Sequence, residues 1–218
     1  MLTADLYWSF RSPYSYLATR RIVAMEAEYD LDIKFRVVHP LAIRMPEFFE
    51  RSNPLMQAYV AMDTRRVAEF LDIPFSWPQP DPVVVDATRR KFAVEQPYIF
   101  WLSRLGVEAT RQGRGLAFAN EVSQVLWGGQ VNNWHMGDHL ASAASRAGLE
   151  FSKLEAAIRL PGADHDSEIS DNHRALANVG HWGVPTLVFQ GELFFGQDRL
   201  EFCLRRMKQH GLAARNKY

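Results

Sequence analysis

Apolar positions alternate at both ends of the chain and recur at helical spacing between them. Leu6, Trp8 and Phe10 share one face at period two, so residues 6–10 read as a β-strand. Ala18, Ile22, Met25 and Tyr29 then follow at helical spacing, in a helix that opens at Ser12-Pro13. Ile33, Phe35 and Val37 alternate with Lys34 and Arg36, a half-buried strand closing at His39-Pro40. Strand, helix, strand is a βαβ unit, with parallel strands and a right-handed crossover.

The middle of the chain changes character. Pro46, Pro54, Pro74, Pro78, Pro80 and Pro82 break residues 41–82 into short helices. Within this stretch residues 56–71 read as a helix, with Tyr59, Met62, Val67, Phe70 and Leu71 expected in the core. Residues 86–105 read as a helix kinked or split at Pro97. Residues 116–127 form a helix stopped by Gly128-Gly129, and 136–147 another stopped by Gly148. Ser152 is expected to cap 153–160, and a further helix to run from Asp166 or Ser167 to about Val179.

Alternation returns at the end. Residues 185–189 read as a strand, Gln190-Gly191-Glu192 as a tight turn, and Leu193-Phe194-Phe195 as the hairpin partner. Asp198 is placed as the cap of a last helix carrying Leu200, Cys203, Leu204 and Met207. The class is therefore α/β, in the order βαβ, helices, ββα. The long helical stretch, 43–179, reads as an insertion into one domain made of 1–42 plus 180–218.

Composition narrows the function. Among 218 residues, 25 Lys+Arg balance 25 Asp+Glu, and there is no basic patch with interleaved aromatics, which argues against nucleic acid as partner. The N-terminal residues lack a basic segment followed by an apolar run, and no apolar stretch is long enough to span a membrane; a cytoplasmic protein is expected. Cys203 is the only cysteine, so neither an internal disulfide nor a thiolate metal cluster is available. Asp164-His165-Asp166 has metal-binding residue types but reads as a solvated turn, and no metal site is expected.

Three stretches carry candidate chemistry. Ser12-Pro13-Tyr14-Ser15 has the spacing of a C-x-x-C redox motif, between a strand and a helix, with serine at both cysteine positions. Without sulfur it cannot exchange disulfides. As an N-cap, Ser12 stands at the positive end of a helix, where a hydroxyl donor and free N–H groups stabilise a thiolate supplied from elsewhere. A plain serine cap has the same sequence. No Gly-x-Ser-x-Gly elbow supports a Ser/His/Asp triad. In Gly183-Val184-Pro185-Thr186, a cis Pro185 would turn the Val184 backbone toward an extended ligand; an ordinary trans proline opening an edge strand is the alternative. In Phe195-Gly196-Gln197-Asp198-Arg199-Leu200, helix N–H groups with Gln197 and Asp198 suit a small zwitterion, or simply start a helix.

Taken together, Ser-Phe-Arg-Ser-Pro-Tyr-Ser-Tyr-Leu-Ala near the start, Gly-Val-Pro-Thr, and Phe-Phe-Gly-Gln-Asp-Arg-Leu resemble the 2-hydroxychromene-2-carboxylate isomerases. These group with kappa-class glutathione transferases and, more distantly, with DsbA oxidoreductases. The resemblance spans essentially the whole chain. It implies a thioredoxin-like fold interrupted by an α-helical insertion, a homodimer, and glutathione as cofactor. By the same resemblance Ser12 hydrogen-bonds the glutathione sulfur and is the catalytic residue. Val184 and cis-Pro185 clamp the cysteinyl part, Gln197 and Asp198 hold the γ-glutamyl end, and Asn53 makes a further contact. The implied activity is isomerisation of aromatic ring-cleavage products, with a small aromatic or unsaturated carbonyl substrate. A kappa-like transferase forming stable conjugates and a non-catalytic thioredoxin-like binding module are the alternatives. The chain departs from the family pattern at Arg11, where an apolar residue is more usual, at Met56, aligned with a family lysine, and at Gln130-Val131-Asn132.

Overall fold

The computed structural model describes residues 1–86 and 91–215. The chain opens with β1 (Leu2–Trp8), α1 (Pro13–Glu28) and β2 (Leu31–Val37). Helices α2 (Leu41–Arg44), α3 (Pro46–Arg51) and α4 (Pro54–Phe70) follow, then two short strands, β3 (Val85–Asp86) and β4 (Lys91–Phe92). Helices α5 (Pro97–Arg111), α6 (Gly115–Trp127), α7 (His139–Arg146), α8 (Phe151–Ile158) and α9 (His165–Asn178) lead to β5 (Thr186–Phe189) and β6 (Glu192–Phe195). A 3-10 turn (Gln197–Arg199) and α10 (Leu200–Gln209) complete the order.

The two ends of the chain meet in one sheet of order β2-β1-β5-β6. β1 and β2 are parallel, and β5 joins β1 antiparallel, with Leu6 opposite Leu187. β5 and β6 form the hairpin, turned by Gln190 and Gly191, both at positive φ. That conformation matches the right-handed twist of two adjacent strands. One sheet face presents Leu6, Trp8, Ile33 and Phe35 to a core shared with Leu17 and Ile22 of α1 and with Cys203 and Met207 of α10. The opposite face gathers Tyr7, Val38 and Val188 around Leu176 of α9. Both faces are thus covered, as a largely buried central strand requires.

The helical segment differs from the sequence reading in three places. Residues 86–105, read as a helix kinked or split at Pro97, hold the antiparallel strands β3 and β4 in place of its first part, 87–90 lying outside the described residues, and α5 starts with Pro97 in its first turn. Gln96 fixes that boundary: its side chain accepts from the Val84 N–H and donates to the Val84 and Ala93 carbonyls, all at 2.8 Å. On α4, Tyr59, Met62 and Phe70 point outward, Phe70 being 87% exposed, and Val67 and Leu71 are only partly buried. The buried positions of that helix are the small residues Thr64 and Ala68. α8 begins at Phe151 after Glu150, whose carboxylate accepts from the Ser152 hydroxyl, so Ser152 is inside the helix.

Asp164-His165-Asp166 is a join between α5 and α9. Arg104 grips Asp166 through Nε and Nη2 at 2.8 and 2.6 Å, Arg111 pairs with Asp164 and Glu168, and His165 Nε2 lies 3.0 Å from Glu108.

Candidate functional site

Ser12 caps α1. Its backbone is extended (φ −101°, ψ 115°), Pro13 takes the first helical position, and Ser12 Oγ accepts from the Ser15 N–H at 3.1 Å. Such a cap contributes roughly 1 kcal/mol to helix stability. β1 holds the start of the helix in place through Trp8, whose indole N–H donates to Thr19 Oγ1 at 2.8 Å and to the Ser15 carbonyl at 3.2 Å. Ser15, at the second cysteine position of the motif, is fully buried, and its hydroxyl has no partner among the described residues.

The second stretch meets the first across the sheet. The Val184–Pro185 peptide is cis, as the resemblance implies. Ser12 Oγ donates to the Val184 carbonyl at 3.3 Å. The loop is braced behind: the Gly183 N–H donates to His181 Nδ1 at 2.9 Å, and Thr186 Oγ1 donates to the Gly183 carbonyl at 2.8 Å. Gly183 lies close under the Phe195 ring: a Cβ would stand 2.3 Å from it, so any side chain there would have to displace that ring.

The third stretch joins through Gly196, whose N–H donates to the Pro185 carbonyl at 2.9 Å. Its φ of 106° is open to glycine and strained for other residues. Gln197 and Asp198 follow in the 3-10 turn. Asp198 is not a helix cap: α10 starts after Arg199 without a side-chain cap bond, and the Asp198 carboxylate pairs with Arg199 at 2.7 Å. A residue missed by sequence reading holds the turn. Arg21 of α1 donates from one nitrogen to the Gln197 carbonyl at 2.8 Å and to Gln197 Oε1 at 3.2 Å. With its oxygen engaged, the amide keeps its NH2 group as a donor.

Asn53 stands apart. It caps α4, its side chain accepting from the Leu55 N–H at 2.9 Å, and among the described residues it makes no hydrogen bond to Ser12, Val184 or Gln197. α4 reaches the site through Asp63, which accepts from the Tyr14 hydroxyl at 2.7 Å. Burial, that hydrogen bond and the Asp63 charge hold the Tyr14 hydroxyl well above its ordinary pKa, and Asp198 adds to the effect. Tyr14 therefore stays neutral and serves as a tether between α1 and α4. Asp63 and Arg21 left no signal in the sequence, because their partners lie 49 and 176 residues away.

Around Phe10 and Arg11, just ahead of Ser12, the packing is aromatic. Trp127 stacks on Tyr16 and Phe75, and Trp77 tilts against it at 5.5 Å. The Trp127 indole N–H donates to the Phe10 carbonyl at 3.1 Å, and the Ser76 N–H donates to the Trp127 carbonyl at 2.6 Å. The Tyr16 hydroxyl donates to the Pro74 carbonyl at 2.6 Å, and burial pushes its pKa up to about 12. Cys203 plays no part. It is buried in the main core, and burial raises its thiol to about 12.

A helix N-terminus, a serine in the first redox position and a cis-proline loop facing it are the features of a thioredoxin-type thiol site. The family model for the DsbA-like thioredoxin domain matches residues 3–208, and the chain belongs to that family. Among curated relatives, the 2-hydroxychromene-2-carboxylate isomerase of Pseudomonas putida is 25% identical over 203 residues, 91% of each chain. The protein of the same name from Pseudomonas sp. strain C18 is 24% identical over 204 residues, 92% of this chain and 87% of the relative. A solved 2-hydroxychromene-2-carboxylate isomerase superposes with a TM-score of 0.69 at 21% identity, covering 96% of both chains. The cytosolic disulfide reductase DsbM of Pseudomonas aeruginosa, solved with GSH, superposes at 0.56 with 16% identity, over 95% of this chain and all of the other. These structural likenesses show the fold. The curated relatives support an isomerase or thiol-related activity. No described helix is long and apolar enough to cross a membrane.

Proposed function

We propose that the protein is a glutathione-dependent isomerase acting on 2-hydroxychromene-2-carboxylate-like aromatic ring-cleavage products. The observation that carries the reading is the placement of Ser12 Oγ at the N-terminus of α1, 3.3 Å from the Val184 carbonyl, in a chain whose only thiol is buried elsewhere. Such a site holds a thiolate without supplying one.

The residues fit glutathione chemically. The Ser12–Val184 bond is long for O–H···O, so the hydroxyl proton is readily turned toward a sulfur anion while Oγ still accepts from the Ser15 N–H. The carbonyl of Val184 and its neighbouring N–H are where an extended peptide pairs as an added strand. The NH2 donor of Gln197 suits a carboxylate, and the Asp198 carboxylate suits an ammonium. Asn53 completes the proposed set from the start of α4. When bound, glutathione would supply a thiolate nucleophile for reversible addition to a conjugated carbonyl substrate. Ser12 and the helix N-terminus stabilise that anion before addition and after release, and the wall of Trp77 and Phe75 offers a planar substrate an apolar face.

Calorimetric titration with glutathione, paired with an ultraviolet titration of its thiolate, tests the reading. Binding with a thiol pKa below the free value of ~8.5 supports it. No binding at millimolar glutathione overturns it.

A further inference from the structure

Arg11 is held in place between an aspartate and two indole rings, directly beside the capping serine. It directly precedes Ser12 and is 27% exposed. Asp81 grips one side of the guanidinium, taking Nε at 2.7 Å and Nη2 at 2.7 Å. Asp81 is itself held, since its Oδ1 also accepts from the Val83 N–H at 2.9 Å. The guanidinium carbon lies 5.3 Å from the Trp77 ring centre and 5.9 Å from that of Trp127. Asp81 therefore fixes the cation at its edge, and two indole rings flank it. The end-on fork, Nη1 with the outer Nη2 hydrogen, has no partner among the described residues. A part-buried arginine locked on one side is a pre-organised receptor for a second planar anion on its end.

The chemistry of that anion follows. Asp81 already neutralises one charge, so a dianion such as a phosphate monoester would meet repulsion that a monoanion largely avoids. A carboxylate matches the fork geometrically, and the indole beside it favours a flat ring. We propose that Arg11 is the specificity residue of the acceptor half of the site, and that it binds the carboxylate of a planar, conjugated monocarboxylate. This deepens the reading under Proposed function and rests on it for the placement of the reacting thiolate.

The test uses 1-naphthoate, uncharged 1-naphthamide and 1-naphthyl phosphate as calorimetric probes, with glutathione binding measured on the same samples. The wild-type protein is expected to bind naphthoate about tenfold or more tighter than either comparison compound, the worth of one charge-assisted pair. Arg11→Met should bring acid and amide together. Because that change strands Asp81, Arg11→Met with Asp81→Asn removes both charges, and circular dichroism melting checks that it is folded. Equal affinity for acid and amide in the wild type, or an acid preference surviving in the double variant, overturns the proposal whether or not glutathione binds. An acid preference that depends on Arg11 while glutathione fails to bind supports the carboxylate site and overturns the glutathione reading alone.

Discussion

Ser12 Oγ and the Val184 carbonyl oxygen stand 3.3 Å apart although 172 residues separate them in the chain. That distance closes one hydrogen bond across the mouth of the site and leaves it weak enough to be exchanged for a better acceptor.

Ser12→Ala removes both the cap and the donor. The expected stability loss is about 1 kcal/mol, as for other N-cap serines. The thiol pKa of bound glutathione should rise by one unit or so, because a donor to the charged form is lost. Denaturant unfolding and an ultraviolet thiolate titration measure the two effects separately. A titration unchanged by the substitution would reduce Ser12 to a helix cap.

Ser12→Cys places a thiol where the native serine stands. The helix N-terminus should hold its pKa below the ordinary ~8.5. Alkylation by iodoacetamide at neutral pH is expected to be fast at position 12 and negligible at buried Cys203, whose thiol stands near 12. Peptide mapping after a short pulse reads both sites in one experiment.

Arg21 acts through Gln197 and is a positioning residue. Arg21→Leu frees the turn at 197–199 and the orientation of the Gln197 amide. Affinity for glutathione should fall several-fold, on the order of one charged hydrogen bond. The pKa of its thiol should not move, since Ser12 is untouched. Calorimetry and the thiolate titration distinguish this from general damage, which would shift both.

His39 and His173 give the fold an acid limit. The His39 N–H donates to His173 Nε2 at 2.8 Å, and the two rings lie 5.3 Å apart. Burial first depresses His39 to about 4, opposed by Asp166 and helped by Arg104 and Arg44; burial first, then His39 and Arg44, depresses His173 to about 3. Both histidines are neutral in the fold at pH values where the unfolded chain, near ~6.5, binds protons. Their contribution is complete above pH ~6.5 and is lost as pH falls toward 4 and then 3, at about 1.4 kcal/mol per pH unit for each ring. Melting temperature should drop steadily over that range. His173→Gln, which keeps an acceptor for the His39 N–H, should flatten the decline.

What the sequence made legible was what local periodicity and turn chemistry govern. α1, β2 and the β5–β6 hairpin follow from alternation, a Ser-Pro start and a Gln-Gly turn, and β1 in part, since alternation set a strand at 6–10 whereas β1 runs Leu2–Trp8 and Phe10 lies in the turn beyond it. α4 shows where periodicity fails. Both sides of that helix carry apolar residues, so spacing gives the period but not the phase. The packed side is set by close approach at Thr64 and Ala68, residues too small to stand out in a hydrophobic pattern. The hairpin before α5 was invisible for a related reason: Gln96 satisfies three backbone groups there, and no local rule foresees a side chain doing so. At the site, the three motifs carried Ser12, Val184, Gln197 and Asp198, whereas Arg21, Asp63 and Asp81 depend on contacts the chain forms only once folded.

The burial of Cys203 has a consequence for endurance. Oxidants that carry a catalytic cysteine to sulfinic or sulfonic acid end an enzyme's working life. Here position 12 holds a serine, and the chain's one thiol, at Cys203, is sealed in the core. With a diffusible thiol as the reactive group, as proposed, the part most exposed to oxidative damage is replaced at each exchange of the cofactor, and the protein survives it.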